Sequence, residues 1–279
     1  MSEPKYKYLA YSGGSVKGIA HIGATKRLVE ANLIDFKKLK AVAGASAGAL
    51  FSVLIVAGFS IDEIWDFMYN SLDLSKMVNI DPFLFLTQCG IESGQKIYDL
   101  YSQILEVKTG IKKTNFQQLY EVSKIHLIIV GTSLTAKKAI YYDHINTPTF
   151  EVALALRISI SMPGFFTPIV IDGEKYIDGA ILDHFPLHLF KDHLDEAIGF
   201  NIMGDYDTTY QYPEQFFVAI MNLFMYRYFD NVTDRFPDNT ISIKGFETIG
   251  SFDFNLTNSI KKTLYQHGYN TADEFLKKN

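Results

Sequence analysis

A serine flanked by small residues is the first position of this 279-residue sequence with the surroundings of a nucleophile. Ser46 is the central residue of Gly44-Ala45-Ser46-Ala47-Gly48, a G-x-S-x-G pattern between an apolar stretch of strand length and an apolar stretch of helical length. On such a strand-to-helix turn the hydroxyl is exposed, and the free N–H groups of the helix stabilise the oxyanion formed when an ester is attacked. Taken alone, the pattern is equally compatible with a Gly/Ala/Ser-rich connection that performs no chemistry.

A second glycine-rich stretch lies between another strand-like run and another helix-like run. It reads Gly13-Gly14-Ser15-Val16-Lys17-Gly18, which is neither a P-loop nor a G-x-G-x-x-G fingerprint. Its backbone N–H groups can form a concave set of donors that suits a phosphate or an oxyanion. A tight turn is the alternative. Lys17 is either a solvated charge, a residue that holds the loop, or a contact for a lipid phosphate.

An Asp-Gly pair, Asp178-Gly179, follows a predicted hairpin strand. Such a pair usually indicates only a turn. A serine nucleophile, however, needs a base within hydrogen-bond distance, and Asp178 is a candidate. Three histidines follow it, His184, His188 and His193, so a Ser-His-Asp triad in the chain order of the α/β-hydrolases is the mechanistic alternative.

The elements that must position these residues alternate between strand-like and helix-like patterns. The predicted strands are residues 6–11, 41–43, 125–130, 139–142, 169–171, 175–177, 196–202 and 241–244. The predicted helices are residues 19–30, 47–57, 93–107, 150–158, 214–229 and 257–276, with a further helix beginning at residue 62. This alternation predicts an α/β fold with a mainly parallel central sheet flanked by helices. No repeat, low-complexity tract or linker is visible, so we expect one domain over residues 1–279.

The composition excludes several function classes. The net charge is −5 and basic blocks are absent, which argues against binding to nucleic acid through its phosphates. The single cysteine, Cys89, excludes an internal disulfide framework and a cysteine-rich zinc site. Aromatic residues make up 14% of the chain, an excess that could belong to the core or to a surface that faces lipid. The helix predicted at 214–229 is the candidate interfacial surface, and a buried core helix is its alternative.

One uncharged run, residues 41–61, is long enough to span a bilayer. Its first half consists of small residues, so a buried strand, a tight turn and a buried helix explain the run better than a transmembrane helix. The first residues of the chain lack the pattern of a secretory signal. We therefore expect a cytoplasmic protein that contacts membranes only peripherally.

Together the three motifs resemble those of the patatin-like phospholipases, a family of lipid acyl hydrolases. Residues 12–18 are similar to the glycine-rich oxyanion motif of that family, residues 44–48 to its nucleophile elbow, and residues 178–180 to its Asp-Gly-Gly/Ala motif. The segment 155–168 is similar to the one that precedes this aspartate. The resemblance extends over residues 6–202 and departs from the family at Ser15, where a third glycine is usual.

The resemblance implies a Ser–Asp dyad without histidine, in which Ser46 attacks the ester and Asp178 accepts its proton. An aspartate side chain ordinarily has a pKa of about 3.9, so we expect burial to raise the pKa of Asp178. No metal or other cofactor is implied, and Lys17 is a candidate substrate-binding residue. The backbone N–H groups expected to form the oxyanion hole are those of Gly13, Gly14, Ser15 and Ala47.

The function predicted on this basis is a lipid acyl hydrolase of the phospholipase A or lysophospholipase type, acting on membrane or micellar lipid. Two alternatives stay open at this stage. The same machinery would serve a general carboxylesterase or a neutral-lipid hydrolase. Ser15 in the glycine-rich loop leaves room for a catalytically weak lipid-binding protein.

Overall fold

A twisted central sheet carries the fold of the computed structural model, which describes residues 3–203, 235–246, 249–250 and 253–278. Its strands are β1 (Tyr8–Tyr11), β2 (Ala41–Ala45), β3 (His126–Ser133), β4 (Lys138–Tyr142), β5 (Ile169–Ile171), β6 (Glu174–Asp178), β7 (Ala197–Ile202) and β8 (Thr240–Ile243). Their order is β5-β6-β3-β2-β1-β7-β8, with β4 paired to β3. β1, β2, β3, β7 and β8 are parallel, whereas β4, β5 and β6 form antiparallel pairs. The prediction of a mainly parallel α/β sheet is confirmed.

Helices pack against this sheet and connect its strands. Those within the described residues are α1 (Ile19–Glu30), α2 (Ala47–Val56), α3 (Ile61–Asp66), α4 (Pro82–Gln88), α5 (Gln95–Thr109), α6 (Phe116–Ser123), α7 (Val152–Ser159) and α8 (Asn258–Lys278). Successive residues of β1 point to opposite faces of the sheet. Leu9 and Tyr11 join the large core beneath the helices. Ala10 packs in a second core with Phe185 and Leu187, beside the 3-10 segment Pro186–Glu196.

Local sequence signals explain several helix ends. Ser60 and Glu63 form a reciprocal capping box at the start of α3, and Asn115 and Gln118 form another at the start of α6. Gly58, with a φ of 88°, follows α2 at the position where glycine commonly ends a helix. The sequence analysis did not predict α4 and α6, because each is too short to establish a helical period.

The uncharged run at 41–61 forms β2, a sharp turn and α2, as the preferred interpretation predicted. The strand continues through Gly44 to Ala45 rather than ending at Ala43, because its pairing with β3 extends to Val130. Across the described ranges, every helix is either too short or too polar to cross a bilayer. The predicted helix at 214–229 lies outside the described residues.

The C-terminal helix closes over α1 through a very close backbone contact. A Cβ atom placed on Gly268 would lie 2.0 Å from the carbonyl oxygen of Ala20. A Cβ atom on Gly23 would lie 1.9 Å from the carbonyl oxygen of Tyr265. Only glycine permits this approach on both helices, so α8 packs directly against α1 as an integral part of the fold.

Candidate active site

Strand register brings Ser46 and Asp178 together although 132 residues separate them in sequence. β2 pairs with β3 as far as Ala45, which lies opposite Val130. β4 occupies the other edge of β3, so β6 must continue along the edge that β2 has left. Asp178, the last residue of β6, lies opposite Gly131, the very next position of β3. The residue after Ala45 therefore meets the end of β6.

Ser46 lies on a strained turn between β2 and α2. Its φ of 52° and ψ of −122° place a non-glycine residue in a region that costs on the order of 1–3 kcal/mol. A Cβ atom on Gly44 would lie 2.5 Å from the carbonyl carbon of Gly48, and one on Gly48 would lie 2.4 Å from the carbonyl oxygen of Tyr11. The two glycines are thus required for the tight turn. Ser159 Oγ accepts the N–H of Ser46 at 2.9 Å and holds the turn in place.

The Ser46 hydroxyl donates directly to the Asp178 carboxylate, with 2.8 Å between Oγ and Oδ2. The other carboxylate oxygen accepts the N–H of Ala180 at 2.8 Å, and the N–H of Asp178 donates to the carbonyl of Ser161 at 3.0 Å. Asp178 is fully buried and Ser46 is 9% exposed. Burial raises the pKa of Asp178 to about 7, against the opposing effect of the hydrogen bonds from Ala180 and Ser46. The expected rise of this pKa is confirmed.

The glycine-rich loop follows β1 and is anchored beside this pair by Ser12. The Ser12 N–H donates to the carbonyl of Phe200 at 3.0 Å, and its Oγ accepts the N–H of Ile202 at 2.8 Å. The N–H of Gly13 donates to the carbonyl of His184 at 3.1 Å. This hydrogen bond corrects the sequence prediction, because a donor that is already used inside the fold cannot also stabilise an oxyanion.

Gly14 and Ala47 keep the properties expected of oxyanion donors. Neither N–H group donates a hydrogen bond to any described residue, and that of Ala47 is the first of α2, where the helix dipole favours negative charge. Ser15 has a φ of 50°, the left-handed region that glycine adopts more easily. The departure from the family pattern at Ser15 therefore has a conformational cost. A donor role for the N–H groups of Gly14, Ser15 and Ala47 stays a prediction.

Lys17 lies inward rather than in solvent. It is 7% exposed, and its ammonium nitrogen lies 5.7 Å from the centroid of the Phe246 ring, within the range of a cation–π interaction. Its backbone N–H donates to the carbonyl of Gly14 at 3.0 Å, which closes the loop. These contacts support a role in holding the loop, and a contact with substrate stays a prediction.

The three histidines of the alternative triad have other partners. Burial lowers the pKa of His184 to about 3, so its ring is neutral at physiological pH. Among the hydrogen bonds of the described residues, none joins any of these histidines to Ser46 or Asp178. The partners are the carbonyl of Ile202 for His184, the carboxylate of Asp183 for His188, and the ring of Tyr8 for His193.

Arg157 is a structural centre that the sequence analysis missed. This residue of α7 is 3% exposed, and it donates to the carbonyl of Ser93 at 2.7 Å, to Ser161 Oγ at 2.6 Å, and to the carbonyl of Thr167 at 2.8 Å. Gly94 makes room for it, since a Cβ atom there would lie 2.3 Å from Arg157 Nε. Burial lowers the pKa of Arg157 to about 10, which leaves it charged at neutral pH. A lone charge in an otherwise apolar helix pattern was the available signal.

No three His, Cys, Asp or Glu side chains converge in the described part of the chain as a metal site would require. The residues described above supply a hydroxyl, a carboxylate and backbone N–H donors. Together they can activate a serine for attack on a carbonyl carbon and accept the resulting negative charge.

Comparison with known sequences identifies a family and several relatives. A family model described as patatin-like phospholipase matches residues 9–191. An uncharacterized protein, R571, from Acanthamoeba polyphaga mimivirus is 31% identical, over 98% of this chain and 95% of its own length. A protein named probable lipid hydrolase 463L, from Invertebrate iridescent virus 6, is 26% identical over 67% of this chain and 64% of its own.

Comparison with solved structures gives the same fold at low sequence identity. VipD from Legionella pneumophila aligns with a TM-score of 0.66 and 19% identity, over 99% of this chain and 67% of VipD. The type III effector protein ExoU aligns with a TM-score of 0.59 and 16% identity, over 99% of this chain and 54% of ExoU. At these identities the similarities concern the fold alone.

Proposed function

The chain belongs to the patatin-like phospholipase family, a family of lipid hydrolases, and on that premise we propose that it cleaves ester-linked fatty acids from phospholipids or lysophospholipids through an acyl-serine intermediate. The observation that carries this proposal is the direct 2.8 Å hydrogen bond from Ser46 Oγ to the buried Asp178 carboxylate. It supplies a nucleophile and a base in contact, with no third group between them.

In the first step, Ser46 Oγ attacks the ester carbonyl carbon while its proton moves to Asp178. A base works best when its pKa is close to the operating pH, and burial brings the pKa of Asp178 to about 7. The ester C–O bond then breaks, and the proton held by Asp178 passes to the departing alcohol oxygen. The products of this step are the free alcohol, which carries the headgroup or glycerol backbone, and an acyl group on Ser46.

The negative charge that develops on the carbonyl oxygen needs donors that are already in position. The N–H groups of Gly14, Ser15 and Ala47 are the proposed set, and removing one such donor typically raises the barrier by about 3–4 kcal/mol. Ser15 contributes through its backbone, so its side chain does not abolish the function.

In the second step, water attacks the acyl-serine and Asp178 accepts the proton of that water. The Ser46–acyl bond breaks, the oxygen of Ser46 recovers its proton from Asp178, and a fatty acid leaves. The same carboxylate therefore serves both half-reactions, as general acid–base catalysis requires.

We expect the enzyme to release fatty acid from mixed micelles of phosphatidylcholine or lysophosphatidylcholine, and Ser46→Ala to lower this rate by at least about 10³-fold. The rate is measured by titration of the released acid. Single variants His184→Ala, His188→Ala and His193→Ala are the matched controls. We expect the variants of the half-buried His188 and the exposed His193 to retain most activity, because neither residue contacts Ser46 or Asp178.

A histidine variant that folds normally and is as inactive as Ser46→Ala would overturn the dyad in favour of a triad. Turnover of triacylglycerol or short soluble esters, without turnover of either phospholipid, would instead assign the site to a neutral-lipid hydrolase or carboxylesterase. Turnover of none of these substrates would leave a lipid-binding protein.

A further inference from the structure

The short helix α4 presents large apolar side chains to solvent. α4 exposes Phe83 by 78%, Phe85 by 54% and Leu86 by 82%, and only Leu84 is half-buried. We call Phe83, Phe85 and Leu86 the α4 tip. Residues 82–91 contain no charged side chain. Scattered exposed apolar residues are ordinary, but three large ones within a single helical turn form a patch that indicates an interaction site.

The base of α4 is fixed to the body of the protein by backbone hydrogen bonds. The N–H of Asp81 donates to the carbonyl of Ile91 at 2.8 Å and closes the loop that contains α4. The N–H groups of Ile91 and Glu92 both donate to the carbonyl of Phe165, and the N–H of Thr167 donates to the carbonyl of Glu92 at 2.9 Å. The α4 tip therefore projects from an anchored base rather than from a free loop.

The same anchoring segment leads to the proposed catalytic pair. Phe165 and Thr167 follow Ser161, whose carbonyl accepts the N–H of Asp178 at 3.0 Å. The buried Glu92 carboxylate accepts the N–H of Gly94 at 2.9 Å and that of Asn79, and it locks the chain on both sides of α4. A surface that binds the α4 tip is thus held in a defined position relative to Asp178.

We propose that the α4 tip inserts into the surface of a phospholipid bilayer and holds the active-site edge of the sheet at that surface. This inference rests on the proposed function, which requires access to aggregated lipid. A helix that docks on another protein usually buries one face and packs the other against its own fold. The three side chains of the α4 tip are instead 54–82% exposed, which suits hydrocarbon, because hydrocarbon surrounds a side chain from every direction.

The charges leading into α4 indicate what kind of bilayer binds. Lys76 is exposed and ion-paired with Asp73 at 3.3 Å, and Lys96 Nζ donates to the carbonyl of Lys76. This near-balanced set gives little attraction to anionic lipid beyond that of any surface. We therefore expect apolar insertion to dominate, so binding to phosphatidylcholine vesicles changes little between low and high salt.

The test measures sedimentation with sucrose-loaded phosphatidylcholine vesicles in a Ser46→Ala background, which prevents hydrolysis of the vesicles. The test variant is Phe83→Glu/Leu86→Glu. The matched control is Val107→Glu/Val122→Glu, which introduces the same two charges at apolar side chains that are 83% and 58% exposed. Val107 lies near the C-terminal end of α5, a helix of 15 residues and therefore ~22 Å long, whose N-cap residue Gly94 lies against Arg157.

We expect the test variant to partition at least about tenfold more weakly than the parent, and the control within about twofold of it. Wild-type-like partitioning of the test variant, or an equal loss in the control, would overturn the proposal. Size-exclusion chromatography provides a further check. A dimer that the test variant disrupts, in a parent that does not bind vesicles, would assign the α4 tip to a second copy of the chain and overturn the bilayer.

The hydrolysis of a soluble ester keeps the inference separate from the proposed function. The glutamate variants are made again with Ser46 intact. Their rate of hydrolysis of soluble p-nitrophenyl butyrate should equal that of the wild-type protein. A parent that binds vesicles through the α4 tip but hydrolyses nothing would refute the proposed function alone. If the glutamate variants do not fold, Leu86→Trp with Trp65→Phe replaces them, and the absence of a blue shift in tryptophan emission on vesicles would contradict insertion.

Discussion

Asp178→Asn should lower the rate of ester hydrolysis by about 10²–10⁴-fold while the fold becomes more stable at pH 8. The asparagine oxygen can still accept the N–H of Ala180, and its amide can still meet Ser46, so the local geometry survives. What disappears is the base that accepts the serine proton. Loss of activity together with a gain in stability is the combination expected of a buried group kept for chemistry.

The direction of the stability change follows from the pKa of Asp178, which burial raises from 3.8 to about 7. Between these two values the folded state keeps a proton that the unfolded state releases, so this carboxyl makes the protein less stable as pH rises from about 4 to 7. Above that window the charged form is buried at full cost. We expect asparagine to recover roughly 2–4 kcal/mol at pH 8 and almost nothing at pH 4.

The free energy of unfolding in urea, measured at pH 4, 6 and 8, tests the expected gain at pH 8 and its absence at pH 4. Asp62→Asn is the matched control, because Asp62 is exposed and its ion pair with Lys26 should contribute no more than about 1 kcal/mol. Activity of the wild-type enzyme should rise with pH through about 7, as Asp178 loses its proton. The quantity compared is the unfolding free energy of Asp178→Asn minus that of wild type. A lower value of this difference at pH 8 than at pH 4 would contradict a raised pKa of Asp178.

Arg157→Ala should destabilise the protein by about 3–5 kcal/mol and slow the reaction of Ser46. Removal of the guanidinium leaves the carbonyl of Ser93 and the buried carbonyl of Thr167 without their donor. The buried Glu92 carboxylate also loses the positive charge of Arg157, with which it interacts favourably. The segment after α7 then loosens at Ser161, which positions the backbone of Asp178.

The free energy of unfolding and the rate of serine modification are the two readouts for Arg157. Arg157→Lys should recover only part of the loss, because one ammonium cannot reproduce a planar fork of donors. Arg27→Ala is the control, since its pair with Asp273 lies at a partly exposed surface and should contribute far less to stability. A loss below about 1 kcal/mol in Arg157→Ala would refute the structural role.

The fold was largely predictable because its signals are local. Apolar runs of strand length identified β3 and β7, and residues 19–30 coincide with α1. The strand ends were less accurate: β3 continues to Ser133 because β6 takes over the edge that β2 leaves at Ala45. Such pairing is a long-range property, and no short window of sequence contains it.

The candidate site, too, could be predicted where its signals are local and not where they depend on contacts between distant segments. Ser46 and Asp178 were predicted from motifs, because the tight turn and the Asp-Gly pair leave local signatures. The use of the Gly13 N–H could not be predicted, since its acceptor is the carbonyl of His184, far along the chain. Arg157 was missed for a related reason: its importance lies in partners from two other segments, and they become visible only in the folded protein.

The central claim is that Ser46 is a nucleophile activated by Asp178, and covalent labelling tests it most directly. A fluorophosphonate probe is incubated with wild type, Ser46→Ala and Asp178→Asn, and intact mass spectrometry counts the adducts. We expect one adduct on wild type, mapped to Ser46 by peptide sequencing, none on Ser46→Ala, and one that forms at least about 10²-fold more slowly on Asp178→Asn. A folded wild-type protein that takes no label, or that is labelled at another residue, would contradict the account.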